Sequence, residues 1–176
     1  MQKSTLCKGL VWISLLLFSR MMPHLSNFSP YSSLVLLSGC EWKKSQALVL
    51  TLAGLLISDI ALALMYGYSV FGLWSIFTYS GFLAMALGSV YCLGQRRSGV
   101  RVALYAISSL FGYWLWTNFG TWLSTDLYAH SLVGLGACLI AGLPFLQNSL
   151  LAGLVFVPCC GSLMVFLEKK GVLCGA

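Results

Sequence analysis

Two charged residues interrupt apolar stretches of the chain and could do chemistry there. Asp59 lies within the run Leu55–Ile60, and Arg20 ends the apolar run that begins at Gly9. An ionised side chain in a membrane core costs about 2.5–3.5 kcal/mol on insertion scales, so it needs a partner, a proton or water. Counted along their helices, Arg20 and Asp59 fall in the same half of the membrane, which predicts an ion pair. Such a pair locks two helices together or supplies charge to a ligand site, and the sequence leaves both alternatives open.

Uncharged polar residues at the same depth complete a candidate solute site. Asn118 is flanked by aromatic residues such as Tyr113 and Trp114. A pocket with aromatic walls and a few convergent polar groups is typical of a small-molecule site. Taken singly, each polar residue is better explained by an interfacial or capping role, and only together do they indicate a site. The candidate substrate-binding residues are Arg20, His24, Asn27, Asp59, Asn118, His130 and Asn148, and the loop Met22–Pro30 is predicted to act as a lid.

Composition places these residues in a membrane protein. Of the 176 residues, 59% are hydrophobic and 8% are charged, against roughly 45–50% and about 25% in a soluble domain. This excludes a soluble enzyme, a disordered chain, a disulfide-stapled secreted module and a DNA-binding domain. The net charge of +6 is divided among small basic groups beside apolar segments, which is typical of cytoplasmic anchors rather than of a nucleic-acid interface. We therefore expect an all-α polytopic bundle, forming one integral membrane domain over residues 1–176 with the lipid bilayer as its partner.

Seven apolar segments and the position of the basic groups set the expected topology. A helix needs about 20 residues to cross ~30 Å of hydrocarbon. With basic residues on the cytoplasmic side, both termini are cytoplasmic. The chain then crosses the membrane only once more after the fifth segment, so the sixth and seventh segments cannot both be full spans. The prediction is six spanning helices, with the sixth segment as a re-entrant or partial helix ended by Pro144. The segments are Leu6–Met22, Tyr31–Cys40, Gln46–Met65, Val70–Leu93, Val102–Phe119, Tyr128–Leu143 and Gln147–Leu167.

Catalytic and cofactor motifs are absent from the sequence. It has no Walker motif, G-x-S-x-G or H-E-x-x-H pattern, and its seven cysteines show no zinc-ligand spacing. No catalytic residue, metal or cofactor is predicted, although Asp59 with His24 or His130 leaves a small membrane enzyme as a third possibility. The run Leu37–Cys40 looks like a lipoprotein cleavage box, with a chance match inside a helix as the other interpretation.

Four motifs resemble those of a family of uncharacterised bacterial integral membrane proteins. They are R-x-x-P-H-x-x-N-F-x-P from Arg20, L-x-S-D ending at Asp59, T-N-F-G-x-W from Thr117 and G-x-P-F-x-x-N-x-L from Gly142. The resemblance covers nearly the whole chain. It implies a multi-pass protein of the bacterial inner membrane and supports the candidate residues above.

The predicted layout is also similar to that of the substrate-binding S components of energy-coupling-factor (ECF) vitamin transporters. That resemblance implies a solute site near the outer face, a covering loop after the first helix, and a transmembrane coupling subunit with ATPases as a further partner. Many S components carry Ala-x-x-x-Ala in the first helix, and Gly9–Ser19 does not. The leading prediction is a solute-binding or uptake protein for a small polar or aromatic molecule. The alternative is a non-catalytic membrane assembly or scaffold subunit without a ligand.

Overall fold

Six helices and no strand make up the described part of the chain. The computed structural model describes residues 2–21, 26–67, 69–94 and 98–170. The predicted all-α class is confirmed. The helices are α1 (Gln2–Met21), α2 (Tyr31–Glu41), α3 (Lys44–Tyr66), α4 (Leu73–Cys92), α5 (Gly99–Ser124) and α6 (Leu132–Lys169).

The short helix α2 lies at the centre of the bundle. It contacts each of the other five helices, and nine of its residues are buried, from Tyr31 at its start to Cys40 near its end. A helix that is apolar on every side is stable only when neighbours cover it all round. With 11 residues it rises ~16 Å, about half the thickness of the hydrocarbon core. The sequence predicted both its bounds and its short length.

Helices α2 and α4 approach each other closely at one glycine. A Cβ atom at Gly39 would collide with the Ser89 side chain and with the backbone at Val90. Only a residue without a side chain allows the two backbones to come so near, as in many membrane helix pairs. The central position of α2 therefore depends on Gly39.

Three of the helices are long and apolar enough to cross a membrane. These are α3, α4 and the part of α6 from Leu132 to Leu167. Their length and composition indicate a membrane protein, in agreement with the composition of the whole chain. The count of six spans stays a prediction.

The prediction of two separate segments near the C-terminus was wrong. A single helix of 38 residues, Leu132–Lys169, covers Gln147–Leu167 and most of Tyr128–Leu143, with Pro144 and Pro158 inside it. An internal proline removes one backbone hydrogen bond, but its φ is compatible with a helix, and membrane helices tolerate this loss. The helix begins only at Leu132.

The continuity of α6 moves two of the candidate residues. His130 belongs to the turn before the helix, where the Ser131 hydroxyl accepts the Gly134 N–H at 3.2 Å. Asn148 lies well inside α6 rather than at the start of a span. At 1.5 Å per residue the helix is ~57 Å long, which exceeds the ~30 Å hydrocarbon core. One helix thus takes the place of the expected re-entrant segment and last span.

Gly39→Ala is expected to lower the free energy of unfolding by about 1–3 kcal/mol, since the added methyl group overlaps Ser89. Thermal unfolding in mild detergent, followed by circular dichroism, measures the change. Gly112→Ala is the matched control, because a Cβ atom there meets nothing within 4 Å and alanine is the better helix former. Equal melting temperatures for the two variants would contradict the close α2–α4 contact.

Candidate functional site

Arg20 and Asp59 form the predicted ion pair. The Arg20 Nη2 atom lies 2.7 Å from Asp59 Oδ1 and joins α1 to α3. The Arg20 Nη1 atom donates to the Ser58 hydroxyl at 3.0 Å, and the Tyr79 hydroxyl of α4 donates to Asp59 Oδ2 at 2.7 Å. The Asp59 side chain is only 7% exposed. Both carboxylate oxygens therefore have protein partners, as a buried charge requires.

Helix geometry explains why the arginine lies at this position. Arg20 is in the last turn of α1, where a cation is stabilised by the negative end of the helix dipole. Its guanidinium also lies over the Tyr31 ring, 5.5 Å from the centroid. The Tyr31 hydroxyl in turn donates to the Thr51 carbonyl at 3.0 Å. The ion pair thus connects α1, α2, α3 and α4, as expected for a pair that locks helices.

A separate cavity of about 380 Å³ lies between α4, α5, α6 and the loop residues before α2. Its walls combine aromatic rings with hydroxyl and amide groups. None of the lining residues that the structure describes carries a charged side chain. They are Asn27, Thr78, Tyr113, Trp114, Thr117, Asn118, Thr121, Leu127, Tyr128, Cys138, Ala141, Gly142, Phe145 and Ser149.

A chain of aromatic contacts connects the ion pair to this cavity. The Tyr31 ring beneath Arg20 packs against Phe82 at 5.0 Å between centroids. Phe82 packs against Tyr113 at 4.5 Å, and Tyr113 lines the cavity. Arg20 and Asp59 therefore support a wall of the cavity from behind without lining it.

Asn118 is brought against α6 by a glycine on the facing helix. Its Nδ2 atom donates to the Trp114 carbonyl at 2.8 Å, and Trp114 Nε1 donates to the Gly142 carbonyl at 2.8 Å. A Cβ atom at position 142 would collide with the Asn118 amide. The glycine therefore allows the amide to face the cavity between α5 and α6.

The loop residues before α2 are fastened to the middle of α6. Asn148 Nδ2 donates to the Ser26 carbonyl at 2.9 Å, and the Ser149 hydroxyl lies 3.5 Å from the Asn27 carbonyl. Asn27 has a φ of 62°, in the left-handed region that asparagine tolerates better than most residues. These contacts close one side of the cavity.

The structure divides the predicted site residues into three groups. Arg20 and Asp59 lie together in the ion pair, while Asn27 and Asn118 line the cavity and Asn148 fastens its loop. His130 is exposed and is not among the lining residues, and its Nε2 atom lies 3.4 Å from the Thr125 carbonyl. His24 lies outside the described residues.

Several functional candidates were missed from the sequence. Thr117 and Thr121 follow Tyr113 at intervals of four residues on α5, so a helical pattern of hydroxyl groups was present beside Asn118. Tyr79 had no comparable signal, because its partner Asp59 is on another helix and only the packing of α3 and α4 joins them.

A second, larger space of about 1040 Å³ lies between α2, α5 and α6. It is lined mainly by aliphatic side chains such as Leu37, Val102 and Leu150, with Glu41 and Lys169 among its few polar residues. It lacks the concentration of hydroxyl and amide groups that would orient a polar solute.

These features define an all-helical protein with helices able to cross a membrane and a small cavity without charged walls. Residues 2–172 match the family described as "Family of unknown function (DUF6580)", and the chain belongs to that family. No curated protein and no solved structure matches the chain. Membership of an uncharacterised family was the first expectation from its motifs.

Asp59→Asn is expected to lower the free energy of unfolding by about 2–4 kcal/mol, because the partly buried Arg20 guanidinium loses its counter-charge. The double variant Arg20→Met with Asp59→Leu should lose much less than the two single variants together. Denaturant unfolding in detergent measures all of these changes. Asp126→Asn, at an exposed loop carboxylate, serves as the control and should change stability by less than about 0.5 kcal/mol. Additive single effects would show that the two charges do not interact.

Proposed function

We propose that the chain is a membrane-embedded solute-binding or uptake protein whose solute occupies the 380 Å³ cavity. The observation that carries this proposal is the combination of aromatic walls with convergent hydroxyl and amide groups around one cavity. Small-molecule sites have this character and volumes of about 300–1,000 Å³. The proposal follows the resemblance of the predicted layout to ECF S components, in which a loop after the first helix covers the site.

The character of the walls sets the class of solute. Because the lining residues within the described part of the chain are uncharged, a buried ionised group on the solute would have no counter-ion among them, and burying an unpaired charge is strongly unfavourable. The rings of Tyr113, Trp114, Tyr128 and Phe145 provide flat apolar surfaces. The proposed solute is therefore small, polar or aromatic, and uncharged.

The loop residues 26–30 form the described part of the proposed lid. They are fastened to α6 by side-chain contacts from Asn148 and Ser149. The Ser29 hydroxyl also donates to the Ser19 carbonyl at 2.9 Å, and Phe28 packs against Phe156. Local opening of such a segment requires these few contacts to break and leaves the helices intact. Solute entry by this route is consistent with the position of Asn27 in the cavity wall.

In this proposal Arg20 and Asp59 affect solute binding indirectly, by holding a wall of the cavity in position. They fix Tyr31, and Tyr31 supports Phe82 and Tyr113. Their substitution would lower affinity by displacing the wall, and no direct contact with the solute is required.

The proposed setting is the bacterial inner membrane, with cytoplasmic termini. The sequence has no Walker motif, so uptake against a gradient would take its energy from a coupling subunit with ATPases.

The native mass spectrum of protein purified in mild detergent is expected to show a stoichiometric small-molecule adduct. Gly142→Leu should remove the adduct, because the new side chain displaces Asn118 and fills the cavity. Gly136→Leu on the same helix should retain it, since a Cβ atom there meets nothing within 4 Å. An adduct that persists unchanged in Gly142→Leu would place the solute elsewhere.

A scaffold subunit without a ligand is the second candidate function. It is favoured by the internal pairing of Arg20 and Asp59, which leaves their charges no need of a solute. A bare protein mass together with a co-purifying subunit would support this alternative.

Replacing Asn148 and Ser149 together by alanine is expected to release the loop. Amide hydrogen exchange in residues 26–30 should become at least about tenfold faster, as expected when net hydrogen-bond energies of about 1 kcal/mol each are lost. Gln147→Ala is the control, because this neighbouring amide is exposed. Unchanged exchange in the double variant would show that the two contacts do not hold the loop.

A further inference from the structure

We infer that the solute is an uncharged, planar heteroaromatic molecule that carries N–H donors, such as an exocyclic amino group. This inference rests on the proposed function and names the solute class of the same cavity. The inference follows from the hydrogen bonds of the lining side chains. Most of these side chains donate their polar hydrogens to other groups of the protein, so that mainly their oxygen atoms remain to accept hydrogen bonds from a solute.

The hydroxyl groups on α5 have donated their hydrogens to their own helix. The Thr117 hydroxyl donates to the Tyr113 carbonyl at 2.9 Å, and the Thr121 hydroxyl donates to the Thr117 carbonyl at 3.1 Å. A threonine hydroxyl has one hydrogen and two lone pairs. Thr117 and Thr121 therefore offer the cavity oxygen acceptors and no donor.

Other polar groups of the lining follow the same pattern. Asn118 Nδ2 and Trp114 Nε1 donate to backbone carbonyls at 2.8 Å, and Cys138 Sγ lies 3.4 Å from the Asn118 carbonyl. Among the described residues no hydrogen bond is made to Asn118 Oδ1, which is left as a further acceptor. The Tyr113 hydroxyl shares a hydrogen bond with the Thr78 side chain. The lining groups still able to donate are the Tyr128 hydroxyl and the amides of Asn27 and Asn118.

The Thr78 and Ser149 hydroxyls also point their hydrogens at carbonyl oxygens, of Trp74 and Asn27. With Thr117, Thr121 and Asn118 Oδ1, the free acceptors outnumber the remaining donor groups, and this selects a solute rich in donors. A solute with only acceptors would leave these oxygens unpaired and desolvated, which costs affinity. An ammonium group would satisfy them, but the lining carries no carboxylate to neutralise it. A neutral amino group on a flat ring meets both conditions, and the ring faces of Trp114 and Phe145 suit stacking on such a molecule.

Adenine and N6,N6-dimethyladenine test this inference as a matched pair of probes. Both are planar and uncharged at neutral pH, but the second has lost the two hydrogens of the exocyclic amino group. Calorimetric titration of the full chain in detergent should show adenine binding at least about tenfold more tightly. This ratio is the effect of one to two net hydrogen bonds.

Threonine-to-valine variants identify the acceptors. Thr117→Val and Thr121→Val keep the side-chain shape and remove the oxygen, so at least one of them should weaken adenine binding by roughly 3- to 10-fold. Binding of the dimethyl compound should change by less than about twofold. Thr125→Val is the matched control, because Thr125 makes the same intrahelical hydrogen bond, at 2.8 Å to the Thr121 carbonyl, and does not line the cavity.

The outcomes separate this inference from the function on which it rests. Equal binding of the two probes, tighter binding of dimethyladenine, or no binding of either overturns the donor-rich solute class. If neither probe binds but the native adduct is lost in Gly142→Leu, the solute site stands and only its proposed chemistry fails. If there is neither probe binding nor an adduct, both proposals fail.

Discussion

The ion pair between Arg20 and Asp59 constrains the rest of the structure. A guanidinium and a carboxylate carried by apolar helices cannot each be left alone, because separate burial of either charge is far more costly than burial of the pair. Helices α1 and α3 must therefore meet at this level. The hydroxyl of Tyr79 donates to the second oxygen of the Asp59 carboxylate and so joins α4 to the ion pair. A single electrostatic requirement thus aligns three helices.

The central helix α2 follows from this alignment. Its first residue, Tyr31, lies beneath the Arg20 guanidinium, and Gly39 near its other end lets α4 approach. Because α2 is short, the loop before it reaches Asn148, which lies ~24 Å along α6 from Leu132. Irregular backbone packed among apolar helices is stable only where protein or water satisfies its polar groups. The contacts from α6 satisfy some of these groups.

The buried charges and the cavity are separated in this fold. The residues with the strongest sequence signal, Arg20 and Asp59, are paired with each other and lie behind the wall of the cavity. The cavity itself is lined by residues with a weaker sequence signal, such as the threonines at helical spacing on α5. A charged residue within an apolar segment can be recognised from the sequence. Whether a neutral hydroxyl lines a cavity depends on which surface it faces, and only the tertiary structure shows that.

The sequence by itself determined the helical class, the bounds of the first four helices to within a few residues, and the pairing of Arg20 with Asp59. These depend on local hydropathy and on the high cost of isolated charges, which any packing must satisfy. The tertiary structure decided that α6 continues through Pro144, that Tyr79 joins the ion pair, and that Asn148 holds a loop 122 positions away. These features depend on which helix faces which, and that is fixed by packing between distant segments rather than by any local pattern.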